Sequence, residues 1–170
     1  YTPQDCYAFH RAVEEKVVPA VARMNAKRRQ TMRLDALRPW DVGGDHIGVD
    51  PLGRPALKPF ESADEFIERG VHVFERVDPV LGGYFKTMQA EGLLDLQSRK
   101  GKAPGGYMTD LPRRKRPLIF MNAAGVADDL VTLVHEAGHA FQGFEQFEND
   151  LLFCQRWPGM EMAEVGSMAM

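Results

Sequence analysis

Residues 135 to 139 read His-Glu-Ala-Gly-His, inside an apolar-periodic stretch that predicts a helix from about Ala127 to Phe144. Side chains four apart on a helix share one face, so His135 and His139 present both imidazoles in one direction and can chelate a single ion. Glu136 is turned about 100° around the axis from His135. It cannot easily share the ion and instead reaches a water bound to it, which places a general base beside an activated water. That is the pattern of helix-borne zinc hydrolases. Asp128, Thr132, His135, His139 and Gln142 extend the pair into a polar stripe at steps of three and four, with Leu130, Val134, Ala137, Gly138 and Phe141 as the expected core side. The competing reading is a solvent-facing stripe whose histidines are ordinary surface residues.

A catalytic zinc takes three protein ligands and keeps a fourth position open. Glu161 and Glu164, three residues apart on the last expected helix, are the candidates for the third ligand. One of them would bind the metal while the other orients a ligand histidine. Spacing does not choose between them. His10, His46 and His72 fall on the first helix, a loop and the second helix, and read as surface or core histidines rather than ligands.

With 170 residues the chain is long enough for one domain with a real core. Its 44% apolar and 26% charged content excludes disorder, and no apolar run is long enough to span a bilayer. A net charge of -3 gives no basic field for nucleic acid. The basic run Arg113-Arg114-Lys115-Arg116 lies between two expected strands and reads as a solvated turn. Cys6 and Cys154 form no metal or redox motif, which fits a reduced, cytoplasmic protein. The chain opens on Tyr1, and its last helix, Glu161 to Met170, shows no stop signal, so a fragment truncated at both ends is expected.

Thr2-Pro3 is a strong helix start, and Phe9, Val13, Val17, Val21 and Met24 predict one long amphipathic helix to about Arg33, kinked at Pro19. Pro39 to Pro59, rich in proline and glycine, predicts a long loop with room for a short hairpin. Ser62 to Glu65 is a capping box opening a second helix with Phe66, Ile67, Gly70, Val71 and Phe74 inward. Asp78-Pro79 starts a third, with Leu81, Tyr84, Phe85 and Met88 buried and Gly92 as its stop. Two strands follow, Gly105 to Asp110 and Pro117 to Asn122, and Pro158 opens the final helix. The fold class expected is mainly α with a small β-sheet.

The segments Gly101-Lys102-Ala103-Pro104-Gly105-Gly106-Tyr107, Phe120-Met121-Asn122, Asp128-Asp129, Thr132 to His139 and Met160 to Met168 together resemble the thimet oligopeptidase and oligoendopeptidase F family of zinc metallopeptidases, the second branch more closely. Leu37 to Asp41 and Gly92 to Leu96 are similar to the same family, so the likeness spans nearly the whole chain. The resemblance implies a zincin-like helical peptidase domain, of which residues 1–170 are the central part, enclosing a deep cleft for short peptides. It implies one Zn²⁺ held by His135, His139 and Glu164 rather than Glu161, with Glu136 as general base. It also implies that the strand at Gly105, Gly106 and Tyr107 forms the cleft edge that binds substrate backbone, where glycines permit close approach.

Related enzymes stabilise the oxyanion with a histidine and tyrosines from a segment beyond the zinc-binding glutamate. The isolated 170 residues are therefore expected to bind zinc and hydrolyse peptides weakly or not at all. The alternative function is a non-catalytic, zinc-containing peptide-binding or scaffold domain derived from such a peptidase. Neither cleavage preference nor oligomeric state is legible.

Overall fold

A computed structural model describes residues 1–42 and 50–170, arranged in two compact units, Tyr1–Ala56 and Leu57–Met170. His46 and the middle of the expected 39–59 loop lie outside the described residues.

In the first unit, Thr2 caps α1 (Pro3–Ala12) through a reciprocal box with Asp5. The long helix forms as expected, but it passes through a π-helical segment, Val13–Val17, before α2 (Val18–Met32) and ends on left-handed Arg33. Pro19 explains the π segment. Its ring clashes with the carbonyl four residues back and it offers no N–H, so widening the turn lets Val18 N–H reach the Val13 carbonyl. The expected apolar face is not buried: Phe9, Val17, Val21 and Met24 are exposed. Apolar periodicity reports which face would seek cover, not that the same unit supplies it. The start of the expected loop instead forms a single turn, α3 (Pro39–Val42), held by the Asp41 carboxylate accepting the Arg38 N–H at 2.9 Å.

The second unit holds the core. Ser62 Oγ accepts the Glu65 N–H at 3.1 Å and starts α4 (Ala63–Val77). Asp78 accepts the Val80 N–H at 2.7 Å and starts α5 (Pro79–Ala90). Gly70 lets the two helices touch, since a Cβ there would meet the Phe85 ring at 2.8 Å. Gly92, at φ +67°, closes α5, and the Leu93 N–H folds back onto the Met88 carbonyl at 2.9 Å.

That reversal feeds β1 (Leu94–Gln97), a strand that no sequence pattern marks, because four residues are too few to show a period. β2 (Tyr107–Leu111) and β3 (Arg116–Ala123) are the two expected strands, the first beginning at Tyr107 rather than Gly105, and the sheet order is β1-β3-β2 with β1 parallel and β2 antiparallel to β3. The basic run is the hairpin turn, with Lys115 ion-paired to Asp150 and Arg116 to Glu91.

Behind the sheet runs α6 (Ala127–Glu148), one turn longer than expected. Its N-cap, Val126, has no side-chain oxygen. Asp129, 8% exposed, supplies the cap instead, its Oδ2 accepting the N–H groups of Ala124, Gly125 and Val126 at 2.8 to 2.9 Å. The buried face of α6 is rotated from the expected one. Leu133, Ala137, Ala140, Phe141 and Phe144 are buried against Phe74, Phe85 and Ile119, whereas Leu130 is exposed. Each such large side chain contributes about 1.5–3 kcal/mol on full burial, so this core fixes the azimuth of α6. A short α7 (Met160–Met168) packs across α6.

Candidate metal centre

The core fixes which way the histidine pair points. Asp128, Thr132, His135, His139 and Gln142 are all half-buried, which sets aside a fully solvent-facing stripe. His135 and His139 lie 4.9 Å apart between ring centroids, and the His135 side chain is 40% exposed and that of His139 16%. Glu136, one position round, is buried.

α7 brings the third group. Glu164 Oε2 lies 3.4 Å from His135 Nε2 and 3.7 Å from His139 Nε2, and one ligand atom from each of the three residues falls within 4.8 Å of the others. Tetrahedral coordination at about 2.0–2.2 Å separates donor atoms by about 3.5 Å, so the set fits a zinc-sized ion. Glu161 is exposed and outside this group. His10 and His72 are exposed and likewise outside it.

Two residues, Ser167 and Gly138, position Glu164. Ser167, one turn further on and 4% exposed, donates its hydroxyl to Glu164 Oε2 at 2.9 Å, with the Glu164 carbonyl as an alternative acceptor. Gly138 lies where the helices cross. A Cβ there would meet Gly166 O at 2.5 Å and Ser167 Cα at 2.7 Å. Both obstacles are backbone, so the crossing must open to admit even a methyl group. We expect Gly138→Ala to lose about 1–3 kcal/mol of stability, as overpacked contacts do, and to bind metal more weakly because Glu164 is pushed away. Thermal melts of the metal-free protein with zinc titration check this; unchanged midpoint and affinity would refute it.

β2 runs beside the stripe. A Cβ on Gly106 would lie 3.1 Å from Thr132 Cγ2, and one on Gly143 would lie 3.1 Å from Asp110 Oδ1. Between them a cavity of about 190 Å³ is lined by Met108, Asp110, His139, Gln142, Trp157 and Glu164, among others. Asp110 Oδ1 is buried there without a hydrogen-bond partner, and burial pushes the carboxyl above the usual carboxylate range, partly opposed by the charge of Arg156.

The ladder decides which main-chain groups of β2 are free to pair. Ile119 donates its N–H to the Leu93 carbonyl at 3.0 Å and so faces β1. Met108, its opposite number on β2, then forms a non-hydrogen-bonded pair with it, as does Asp110 with Pro117. The main-chain groups of Met108 and Asp110 point to the open edge. Tyr107 pairs with Phe120 and stacks on its ring, centroids 4.9 Å apart. Gly105, at φ +99°, turns the chain into the strand.

The model of Peptidase family M3 matches residues 1–170. The chain belongs to peptidase family M3. It is 27% identical to the oligopeptidase PepF of Bacillus subtilis (strain 168) over 148 residues, which cover 84% of this chain and 20% of that protein. Among solved structures, this M3 chain superposes on PZ peptidase A, a structure with an inhibitor, at a TM-score of 0.87 and 34% identity, covering 99% of this chain and 29% of that one. A Bacillus anthracis (strain Ames) protein named as an oligoendopeptidase F matches with a TM-score of 0.87 and 30% identity over 99% of this chain and 30% of that one. The chain thus spans about a fifth of the length of the curated relative it matches. Among the described residues, no helix is long and apolar enough to cross a membrane.

Proposed function

We propose that this M3 chain carries the metal site and the general base of a zinc metalloendopeptidase acting on short peptides. The observation that carries the reading is the convergence of three donor atoms, from His135, His139 and Glu164, beside a buried glutamate one residue along the same helix. When bound, zinc would supply Lewis acidity, bringing the pKa of a water toward neutrality and polarising the scissile carbonyl. His135, His139 and Glu164 would hold the ion. Glu136 takes a proton from the attacking water on its carboxylate and passes it to the leaving amine. The open edge of β2 holds the peptide extended by main-chain hydrogen bonds, which tolerate many side chains.

The second reading, a scaffold domain with structural zinc, is disfavoured by the same geometry. A purely structural zinc has no use for a buried carboxylate such as Glu136 beside it. Cytoplasmic residence is proposed with it, supported by two free, exposed cysteines.

The test is metal content and turnover of an internally quenched peptide by the complete polypeptide. One zinc per chain is expected, with activity lost on chelation and restored by zinc. Turnover that survives full stripping would reject the metal-dependent reading, and bound zinc without turnover of any peptide would favour the scaffold.

A further inference from the structure

The Lys102 side chain is 1% exposed although it carries a charge. Its Nζ donates to the Asp95 carbonyl at 2.8 Å, to Asp95 Oδ1 at 3.1 Å and to the Gln97 carbonyl at 2.9 Å, with the Met121 carbonyl as a fourth acceptor. The ammonium also sits 4.4 Å from the centroid of the Phe120 ring. These acceptors mark a defect in the sheet. The β1–β3 register slips between Asp95 and Gln97, and such a slip interrupts the ladder that would otherwise engage main-chain groups there. Lys102 fills the gap with a compact cation bearing three donors. Asp95 balances the charge, its carboxyl held down at about 2 by Arg99, with Lys102 contributing and burial opposing.

From this anchor the chain is held stepwise to the start of β2. Asn122 Nδ2 donates to the Ala103 carbonyl at 2.7 Å and the Gly105 carbonyl at 3.0 Å. The Phe120 ring, under the Lys102 ammonium, also stacks with Tyr107. Residues 102–107 are thus tied to β1 and β3 at successive points, and the first of those ties is an ion in the interior.

We propose that Lys102 is a positioning residue for peptide binding: it clamps the 101–106 segment to the β1–β3 bulge, fixing where β2 begins and hence where the open-edge groups of Met108 and Asp110 stand relative to the His135–His139 pair. The ligand concerned is an extended peptide backbone, and the proposal rests on the peptidase reading. Lys102 touches neither the metal donors nor the open edge, so its effect is on the register of the bound peptide.

The experiment uses the complete polypeptide with Glu136→Gln as background, so that binding is read without turnover, and a fluorescein-labelled decapeptide as probe. Lys102→Met is expected to weaken decapeptide binding by about tenfold, about 1.4 kcal/mol, with zinc stoichiometry unchanged. In the active protein the same substitution should raise KM more than it lowers kcat, and should hurt the decapeptide more than a tripeptide too short to run along the edge. Because Lys102→Met leaves buried carbonyls bare and is at risk of misfolding, Asn122→Ala is the second variant, expected to give the same KM-weighted, length-dependent loss. Equal binding and an unchanged KM in either folded variant would overturn the clamp. Loss confined to kcat, or equal for both peptide lengths, would overturn it too. If the Glu136→Gln parent binds zinc but no peptide, the peptidase reading itself fails, and the clamp with it.

Discussion

Glu136→Gln is expected to lower peptide turnover by about 10²- to 10⁴-fold, the usual worth of a positioned general base, while metal content stays at the wild-type level. Glutamine matches glutamate in shape and keeps the buried side chain packed, but its amide cannot accept and pass on a proton at neutral pH. Glu136 stands one residue from His135 and is not among the three converging donors, so the metal has no reason to leave. Steady-state turnover alongside metal analysis separates the two quantities. A variant that retains activity would remove Glu136 from the proton path, and one that loses metal as well would make it a ligand.

Glu164→Ala is expected to act on the other quantity. Deleting a ligand outright should weaken zinc binding by more than about 100-fold, the upper range for merely losing a hydrogen-bond partner of a ligand. Turnover should fall as a consequence, recovering partly at high zinc. Glu161→Ala is the internal control: Glu161 is exposed and outside the donor group, so its loss should leave affinity within error. Full occupancy in Glu164→Ala, with a loss in Glu161→Ala, would move the third ligand to Glu161.

How far the sequence reveals this arrangement depends on the distance over which each piece is encoded. The histidine pair and Glu136 are written within five residues and follow from helix geometry alone. The starts of α1, α4 and α5 are similarly local, because a capping side chain and its target N–H are two or three residues apart. Glu164 lies on another helix, and spacing left it level with Glu161; only likeness to a family chose between them. What brings Glu164 in is the crossing at Gly138, and the contact of Gly138 with the Gly166 backbone leaves no periodic trace.

β1 leaves no trace in the sequence for a related reason. Its identity as a strand comes from pairing with β3, more than twenty residues downstream, and from the loop lysine that fills its bulge. The rotation of α6 about its axis was likewise set from outside, by Phe74, Phe85 and Ile119 taking up Leu133 and Ala140. Apolar residues occupy enough positions on that helix for two adjacent stripes to look equally good. The second strand begins at Tyr107, so Gly105 and Gly106 of the expected strand lie in the approach to it, and the alternation that turns Met108 and Asp110 outward depends on the Ile119 bond to Leu93.

The open edge of β2 has a further consequence, for solubility. Unpaired strand edges invite pairing with another copy of the same chain, and proteins usually blunt them with proline, a bulge or a covering segment. If β2 accepts a peptide as proposed, it can use none of these along its working length. β2 is only five residues long, and it is entered through glycines at 105 and 106 that have no side chains to zip. A second copy would therefore find little edge to pair with, so the brevity of this strand discourages self-association while leaving its main chain open to a guest.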